Sequence, residues 1–255
     1  MEKHEILKVY VDREETVDDP ITQEIPLTLY VNNEELVTLL SSPTDLRELS
    51  VGFLLASGII ADFDKIENIS IDRQNWSVYV ELRDRKIDFQ TAFKRMYTSG
   101  CGRGTLFYSA ADIMHRNKKR LDLKVERKAI FAMMKDFQIR SDEFNQTGGV
   151  HSAALADTEK ILIIREDIGR HNAIDKILGY GLINGIELGD KIVLSSGRVS
   201  SEILLKAQKT QIPVIVSRSA PTDQAIKHAK SADITLIGFA RGGRMNIYNR
   251  PERIL

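Results

Sequence analysis

The sequence is poor in cysteine and has no excess of charge of either sign. Among 255 residues there is one cysteine, Cys101, which excludes an intramolecular disulfide and a zinc site built from cysteines alone. The 36 lysines and arginines are balanced by 36 aspartates and glutamates, which argues against binding nucleic acid or an anionic membrane through the overall charge. Any anion-binding site must therefore be local.

Long apolar runs are also missing. No stretch approaches the roughly 20 residues of a membrane-spanning helix. The start, residues 1–8, lacks the basic and apolar regions of a signal peptide. We therefore expect a cytoplasmic protein with no membrane partner, in which Cys101 remains a free thiol. The chain is long enough to bury a core without disulfides or metals.

The pattern of apolar residues divides the chain into two halves, and we predict an α/β protein of two domains. Residues 1–118 are predicted to form the smaller domain, a sheet with one long helix. A β-hairpin is expected to turn at Asn32–Asn33, and an alternating strand covers 76–82. Thr44 is the predicted N-cap of the helix, which should end near Gly58.

The second half, residues 119–255, alternates short apolar runs with helical segments. Predicted strands lie at 160–165, 192–195, 213–217 and 234–238, and predicted helices at 172–182, 201–209 and 222–230. This alternation predicts a sheet with substantial parallel character, covered by helices on both faces. The charge-rich segment 118–127 is interpreted as the boundary between the halves or as the solvated face of a helix or strand.

Ligands of open α/β sheets bind beyond the carboxyl ends of strands, which directs attention to three predicted loops. These are Ser195–Arg198, Ser217–Pro221 and Gly238–Arg244, and each contains arginine. The sequence therefore predicts that arginines gather at one edge of the second sheet.

Cys101 is flanked by Gly100 and Gly102, and Arg103 follows two positions later. Glycines on both sides leave the thiol little apolar cover, and a nearby guanidinium favours the thiolate. These features suit a sulfur nucleophile. The alternative interpretation is a half-buried small hydrophobic residue, the usual environment of a lone cysteine.

The segment 165–176 concentrates charged and polar residues between a predicted strand and a predicted helix. Backbone N–H groups and the helix dipole favour anions at such a junction, and His171 has the chemistry to exchange a proton near neutrality. Arg170, Asp175 and Lys176 belong to the same cluster. The alternative is an N-terminal helical turn with solvated charges.

The segment 238–245 has the glycine spacing of a phosphate-binding loop but lacks its Lys-Ser/Thr ending, which argues against an ATPase. Arg241 and Arg244 still suit bidentate contact with a pyrophosphate, and Phe239 suits stacking on a ring. The alternative is a basic turn after an edge strand. The five histidines show no zinc-ligand spacing, and no Gly-x-Ser-x-Gly elbow of a serine hydrolase occurs.

Several motifs together resemble the FdhD family, the sulfur carrier proteins required for formate dehydrogenase activity. They are Thr98-Ser-Gly-Cys-Gly, Val150-His-Ser-Ala-Ala, Glu166-Asp-Ile-Gly-Arg-His-Asn-Ala-Ile-Asp-Lys, Ser196-Gly-Arg, Ser219-Ala-Pro-Thr, Gly238-Phe-Ala-Arg, Asn246-Ile-Tyr and Pro251-Glu-Arg-Ile. The resemblance runs from about residue 20 to the C-terminus.

The resemblance implies a function in cofactor maturation. A cysteine desulfurase would donate sulfur, which Cys101 would carry as a persulfide and deliver to the molybdenum of bis(molybdopterin guanine dinucleotide) before insertion into formate dehydrogenase. Many members have Cys-x-x-Cys here, whereas this chain has Gly104 at the second position. A persulfide relay requires only one activated thiolate.

The resemblance also implies sites and a fold. The family's guanine-dinucleotide contact segment resembles Phe239, Ala240, Arg241, Gly242, Gly243 and Arg244, where a free guanine nucleotide would also bind. Further possible site residues come from the polar clusters described above. They are Arg103, His151, Arg170, His171, Asp175, Lys176, Arg198 and Arg218.

The family fold is similar to that of nucleobase deaminases, so the second domain is expected to be cytidine-deaminase-like. His151-Ser-Ala153 would stand where a deaminase has His-x-Glu, and Ser196-Gly-Arg-Val-Ser near its cysteine pair. An alanine cannot shuttle a proton and no cysteine remains for zinc, so we expect neither zinc nor deaminase chemistry.

Two other functions remain open at this stage. One is a non-catalytic chaperone that holds the cofactor and docks on the dehydrogenase, with Cys101 merely structural. The other is a nucleotide-processing enzyme built on the 169–176 cluster, which the missing zinc ligands and phosphate loop disfavour. Exposed edges of the first domain also make a homodimer reasonable.

Overall fold

The computed structural model describes residues 1–84, 94–97, 105–108 and 123–255. The helices are α1 (Leu46–Ser57), α2 (Arg127–Ile139), α3 (Asp142–Thr147), α4 (Arg170–Ile183), α5 (Ser201–Lys209) and α6 (Asp223–Ala232). The strands are β1 (Glu2–Val9), β2 (Glu14–Ile21), β3 (Ile25–Val31), β4 (Glu34–Ser41), β5 (Ile66–Asp72), β6 (Ser77–Leu82), β7 (Lys94–Tyr97), β8 (Thr105–Tyr108), β9 (His151–Ala156), β10 (Ile161–Asp167), β11 (Ile192–Ser195), β12 (Val214–Ser217), β13 (Thr235–Arg241) and β14 (Arg244–Asn249). No helix in these ranges is both long and apolar enough to cross a membrane.

The first half contains a four-stranded sheet in the order β4-β3-β6-β5. The predicted hairpin turn is confirmed, because Asn32 and Asn33 join β3 to β4 with φ angles of 49° and 68°. Leu27, Leu29 and Val31 alternate with more exposed residues and are fully buried on the inner face of β3. The preceding hairpin, β1–β2, was not predicted and is largely exposed.

The predicted N-cap of α1 is wrong. The helix begins at Leu46, and Asp45 occupies the cap position with a φ of 54°. The Thr44 hydroxyl instead accepts a hydrogen bond from the Lys176 ammonium at 3.3 Å, which removes it from the helix end. At the other end Gly58 is confirmed as the terminating residue, since it adopts a φ of 82° and its N–H donates to the Leu54 carbonyl.

The second half forms a six-stranded sheet in the order β10-β9-β11-β12-β13-β14. β11, β12 and β13 are parallel, whereas the flanking pairs are antiparallel. The predicted mixed sheet is therefore confirmed. Several boundaries differ from prediction by a few residues. Of these, α4 begins at Arg170 instead of residue 172, and β13 extends to Arg241 where a loop was expected.

Helices cover both faces of the six-stranded sheet, as predicted. Ala153 and Leu155 of β9 point into the core shared with α1 and α4, whereas Ala154 and Ala156 point into a core with α2. α2 was not predicted, although its buried residues have helical spacing; these are Ile130, Met133, Met134 and Phe137. Of the charge-rich segment 118–127, residues 118–122 lie outside the described residues.

The two halves meet where α1 crosses α4. A Cβ on Gly52 would lie 1.7 Å from the Asp175 carbonyl oxygen, and one on Gly179 would lie 1.9 Å from that of Glu48. The absence of side chains therefore allows backbone contact. One hydrophobic core runs through this crossing and includes residues of both sheets. The predicted boundary at residues 118–119 lies outside the described residues, and the division into two domains stays a prediction.

Candidate functional site

Three polypeptide segments leave parallel strands at the same edge of the second sheet, which we call the carboxyl edge. They follow β11, β12 and the paired part of β13. Backbone hydrogen bonds of 3.1 Å join them: the Arg218 N–H donates to the Ser195 carbonyl, and the Phe239 N–H donates to the Ser219 carbonyl. The three arginine-bearing segments predicted from the sequence are therefore neighbours, in the order β11, β12, β13.

The end of β13 carries a strained aromatic residue. Phe239 has a φ of 52°, which is rare for a residue with a bulky side chain and marks a candidate functional position. Gly238 precedes it in a crowded place, where a Cβ would lie 2.9 Å from Pro221 Cδ and 3.0 Å from the Ser219 carbonyl oxygen. The Arg241 guanidinium lies 5.9 Å from the centre of the Phe239 ring. Phe239 is half-buried.

The predicted pyrophosphate segment forms a β-hairpin turn. Gly242 and Gly243 have φ angles of 58° and 74°, the conformation that a two-residue turn requires. Arg241 and Arg244 are paired across this turn and both are exposed. Ala240 precedes Arg241 in β13 and is buried in the core that contains α2. The turn thus presents two guanidinium groups to solvent beyond the carboxyl edge.

A second group of predicted residues gathers where β9, α4 and the β11 loop meet. His151 begins β9, Arg170 begins α4 and Arg198 follows β11. A Cβ on Gly197 would lie 3.1 Å from Arg170 Cβ and 3.3 Å from His151 Nδ1. We call His151, Arg170, His171 and Arg198 the histidine–arginine cluster.

Both imidazoles of this cluster are neutral groups near pH 7. Burial lowers the pKa of His171 to about 3, and the cations Lys206 and Arg170 lower it further in the same direction. Burial, followed by Arg170 and Arg198, also lowers the pKa of His151. The His171 Nε2 atom lies 3.4 Å from Ser200 Oγ and 3.5 Å from Glu202 Oε2. Because His171 is neutral, its contact with Glu202 is not an ion pair.

Two residues of the predicted cluster point into the protein. Lys176 is fully buried, and its ammonium lies 2.8 Å from Asp167 Oδ2 and 2.9 Å from the Glu166 carbonyl oxygen. Asp175 is buried beside Lys206, whose ammonium donates to both carboxylate oxygens at 2.5 Å. These ion pairs connect α4 to β10 and to α5. They suit a role in holding α4, and with it Arg170 and His171, in position.

Glu166 also serves the fold. Its carboxylate accepts hydrogen bonds from the backbone N–H groups of Glu143 and Phe144 at the start of α3, at 2.8 and 3.0 Å. Ser152 donates to the same carboxylate at 3.0 Å. Some of the charged residues in 165–176 therefore stabilise the fold. The sequence pattern alone did not distinguish them from residues of the candidate site.

Sequence reasoning placed Ser196 in a predicted loop without a role for its side chain, and it did not single out Glu202 or Lys206. Ser196 Oγ lies 3.3 Å from His151 Nδ1 and accepts the Ser152 N–H at 3.0 Å. Glu202 and Lys206 lie on the buried face of α5. Their spacing of four residues places them on the same face of the helix, and this was the signal in the sequence that could have identified them.

Cys101 and Arg103 lie outside the described residues. On either side of them in the sequence are β7 and β8, which pair antiparallel with Tyr97 opposite Thr105. β8 lies beside α1, the helix that crosses α4.

Metal ligands were not expected from the sequence. Within residues 1–84 and 123–255, no three histidine, aspartate or glutamate side chains converge in an arrangement that holds a metal ion. That the protein lacks zinc therefore stays a prediction.

Comparison with known proteins identifies the family. Residues 22–255 match the FdhD/NarQ family. The chain belongs to this family. It is 44% identical over 239 residues to the sulfur carrier protein FdhD of Bacillus subtilis (strain 168), and the match covers 93% of this chain and 91% of that protein. It is 42% identical over 241 residues to the sulfur carrier protein FdhD of Staphylococcus aureus (strain MRSA252), with coverage of 94% and 91%.

A solved structure gives the same result for the fold. The crystal structure of a protein from Desulfotalea psychrophila, described as a formate dehydrogenase accessory protein, superposes with a TM-score of 0.77 at 25% identity. The superposition covers 99% of this chain and 98% of that one. The mixed α/β architecture and the family resemblance read from the motifs are both confirmed.

Proposed function

We propose that this chain is a cytoplasmic sulfur carrier that serves formate dehydrogenase. In this function a cysteine desulfurase charges Cys101 with a persulfide. The carrier then delivers the sulfur to the molybdenum of bis(molybdopterin guanine dinucleotide), its bound substrate, before the cofactor enters the dehydrogenase. The two electrons that turn this neutral sulfur into a sulfido ligand would come from a thiol reductant. The names of relatives that are 42–44% identical support the sulfur-carrying part of this proposal.

The charging step needs one thiolate. The Cys101 thiolate attacks the outer sulfur of the desulfurase persulfide, the sulfur–sulfur bond of the donor breaks, and the donor leaves as its own thiolate. The number of electrons is unchanged, because a neutral sulfur atom moves between two thiolates. Arg103 favours the thiolate by its charge. A second cysteine at position 104 is not required for this exchange.

The observation that carries the cofactor part is the gathering of arginines at the carboxyl edge. Arg198 and Arg218 follow β11 and β12, Arg241 is the last residue of β13, and Arg244 is its partner across the hairpin turn. Guanidinium groups bind phosphate oxygens in bidentate fashion and tolerate burial better than ammonium groups. The Phe239 ring suits stacking on the guanine base. We place the guanine-dinucleotide end of the cofactor against the 239–244 turn.

Sulfur charging is tested with a purified cysteine desulfurase and cysteine, followed by intact mass spectrometry. The wild-type chain should gain the mass of one sulfur atom, and Cys101→Ser should gain none. Arg103→Gln is a matched variant that keeps the thiol, and it should be charged more slowly. Equal charging of Cys101→Ser would contradict the proposal.

Cofactor binding is tested with guanosine diphosphate, which mimics the nucleotide end. Arg244→Ala should weaken binding about tenfold or more, because a hydrogen bond to a charged group contributes about 1.5–3 kcal/mol. Lys227→Ala removes an exposed cation of α6 and should leave the affinity unchanged. Equal affinities of Arg244→Ala and the wild type would overturn the assignment of this turn.

Complementation distinguishes a sulfur carrier from a chaperone that only holds the cofactor. In cells that lack this protein, Cys101→Ala should fail to restore formate dehydrogenase activity. Full restoration by this variant would support the chaperone instead, since cofactor binding at the carboxyl edge would then suffice.

A further inference from the structure

Residues 1–21 form an arm that the family assignment does not account for. The family match begins at residue 22, and the β1–β2 hairpin precedes it. At the base of the hairpin the Thr22 hydroxyl lies 2.9 Å from the Thr147 hydroxyl of α3. An isolated pair of strands is only marginally stable in water, so a further strand would stabilise this hairpin.

Exposed apolar side chains are concentrated on the arm. Of the eleven large hydrophobic side chains that are exposed among the described residues, six belong to residues 1–21. They are Met1, Leu7, Val9, Tyr10, Val11 and Ile21. Leu7 and Val9 are 57% and 68% exposed and share one face of β1, because they are two positions apart. Such a concentration of exposed apolar surface marks an interaction site.

The backbone of β1 offers an open pairing edge. At the turn the Tyr10 N–H donates to the Arg13 carbonyl at 2.7 Å, so these two residues form a hydrogen-bonded pair. Bonded and non-bonded pairs alternate along an antiparallel ladder, so the odd-numbered residues of β1 direct their N–H and C=O groups away from β2. These residues are Lys3, Glu5, Leu7 and Val9. No other described strand pairs with this edge.

The opposite edge of the hairpin, on β2, is protected against pairing. β2 has four acidic residues and no basic one, whereas β1 has two glutamates and two lysines. Pro20 lies opposite Lys3 and therefore lacks a donor at an outward-facing position of β2. Charged side chains and proline are the usual means by which an edge strand avoids pairing. β1 contains no proline and its charges cancel, so it is the unprotected edge.

A second copy of β1 fits this edge. When two antiparallel strands are related by a two-fold axis perpendicular to the sheet, odd-numbered residues lie opposite odd-numbered ones, because opposite residues share a face. Leu7 and Val9 of both copies then lie on the same face near the axis. The balanced charges of β1 do not repel a copy of the same strand, whereas two β2 strands would bring the acidic side chains of both copies together.

We propose that β1 is the pairing edge of a homodimer, in which the β1 strands of two copies lie antiparallel and join both hairpins into one four-stranded sheet, in the order β2-β1-β1-β2. The pairing satisfies the outward backbone groups of β1 and removes part of the Leu7 and Val9 surface from water. The arm lies outside the segments assigned to sulfur and nucleotide binding, so this inference does not depend on the proposed function.

The test is analytical ultracentrifugation of the full chain over a range of concentrations. The wild type should sediment as a dimer that dissociates on dilution. Leu7→Pro removes an outward N–H from each copy and no bond to β2, so it should weaken the dimer about tenfold or more. Thr16→Pro is the matched control: Thr16 lies opposite Leu7 and directs its N–H to the other edge, so this variant should dimerise with the wild-type affinity.

A second pair of variants keeps the test valid if proline disrupts the hairpin. Leu7→Lys and Thr16→Lys both replace exposed side chains and should leave the fold intact. Leu7→Lys brings like charges together near the axis and should weaken the dimer, most strongly at low salt. Thr16→Lys should not.

Amide hydrogen exchange identifies what occupies the edge. The N–H groups of Glu5 and Leu7 should exchange slowly at concentrations at which the dimer forms and fast on dilution, whereas those of Thr16 and Asp18 should exchange fast throughout. The inference is overturned if the chain is monomeric at all concentrations, or if Leu7→Pro and Leu7→Lys dimerise as tightly as the wild type. Protection of Glu5 and Leu7 only after a cysteine desulfurase is added would also overturn it.

Discussion

The first turn of α4 and the turns that follow it contain similar charges in different environments. Arg170 and His171 are half-buried at the carboxyl edge, whereas Asp175 and Lys176 are buried and paired with residues of other elements. A few residues of sequence thus separate a candidate binding surface from a structural ion-pair network. The difference shows that charge density alone does not identify a site; the direction in which each side chain leaves the helix decides.

The strongest way to break this comparison is to remove one partner of a buried pair. Lys176→Met leaves Asp167 charged and uncompensated in the interior, which should lower the free energy of unfolding by about 3–5 kcal/mol. Urea unfolding followed by circular dichroism measures the change. Lys227→Met is the matched control, because its exposed pair with Asp223 is screened by solvent and its loss should leave the stability nearly unchanged. Similar losses in both variants would refute the structural role of Lys176.

A smaller loss is expected at the crossing of α1 and α4. Gly179→Ala places a methyl group against the Glu48 backbone, which cannot move without separating the helices, so we expect a loss of about 1–3 kcal/mol or more. Gly181→Ala is the control, because the nearest atom to its Cβ is a Leu188 methyl group at 2.8 Å that can rotate. Thermal unfolding of both variants should rank Gly179→Ala as the less stable. The opposite ranking would contradict the close helix crossing.

The pH dependence of stability tests the first turn of α4. Since the pKa of His171 is about 3 in the folded protein and near 6.5 in the unfolded chain, the unfolded state binds the proton first as the pH falls. Stability contributed by neutral His171 is therefore complete above pH 6.5 and is lost progressively below it. Between pH 6.5 and 5, His171→Gln should reduce the wild-type loss by about 1–2 kcal/mol.

The control for this titration is His4→Gln, on the exposed hairpin of β1 and β2. His4 is exposed, so this substitution controls for the loss of an imidazole as such. If His171→Gln and the wild type lose stability in parallel from pH 6.5 to 5, the neutral state of His171 is disproved.

The smallest expected effect on stability belongs to the carboxyl edge itself. Arg198→Gln removes an exposed side chain and should change the free energy of unfolding by less than about 0.5 kcal/mol. The same variant is expected to weaken the binding of guanosine diphosphate, because Arg198 is one of the arginines at the carboxyl edge. The Lys176 substitution is thus expected to affect mainly stability, and the Arg198 substitution mainly ligand binding. This contrast sharpens the distinction between the two regions. If Arg198→Gln lowered the free energy of unfolding by several kcal/mol, the distinction between the two regions would be refuted.

Elements with strong local signals were predictable. α5 spans Ser201–Lys209 as predicted, and Thr222 caps α6 by accepting the Ala225 N–H at 3.2 Å. Thr44 was assigned wrongly, because its hydroxyl contacts Lys176, which is distant in sequence. α2 escaped prediction because its apolar spacing is embedded among charged residues.

The candidate site was predictable in outline. Parallel strands place their carboxyl ends at one edge, so the loops beginning at Ser195, Ser217 and Gly238 could be expected together. The roles of Glu202 and Lys206 could not, because they depend on how α5 packs against α4. The strained φ of Phe239 likewise arises from the bulge between β13 and β14.

The sequence by itself determined the alternation of strands and helices, the family and the presence of a single thiol. These follow from periodicity and from the identities of neighbouring residues, which are local properties. Only the tertiary structure decided which of the charges in 165–176 face solvent and which are neutralised inside. That decision depends on contacts between α4 and residues distant in sequence, Thr44 and Lys206 among them, because desolvating a charge is tolerated only where a partner lies within hydrogen-bonding distance.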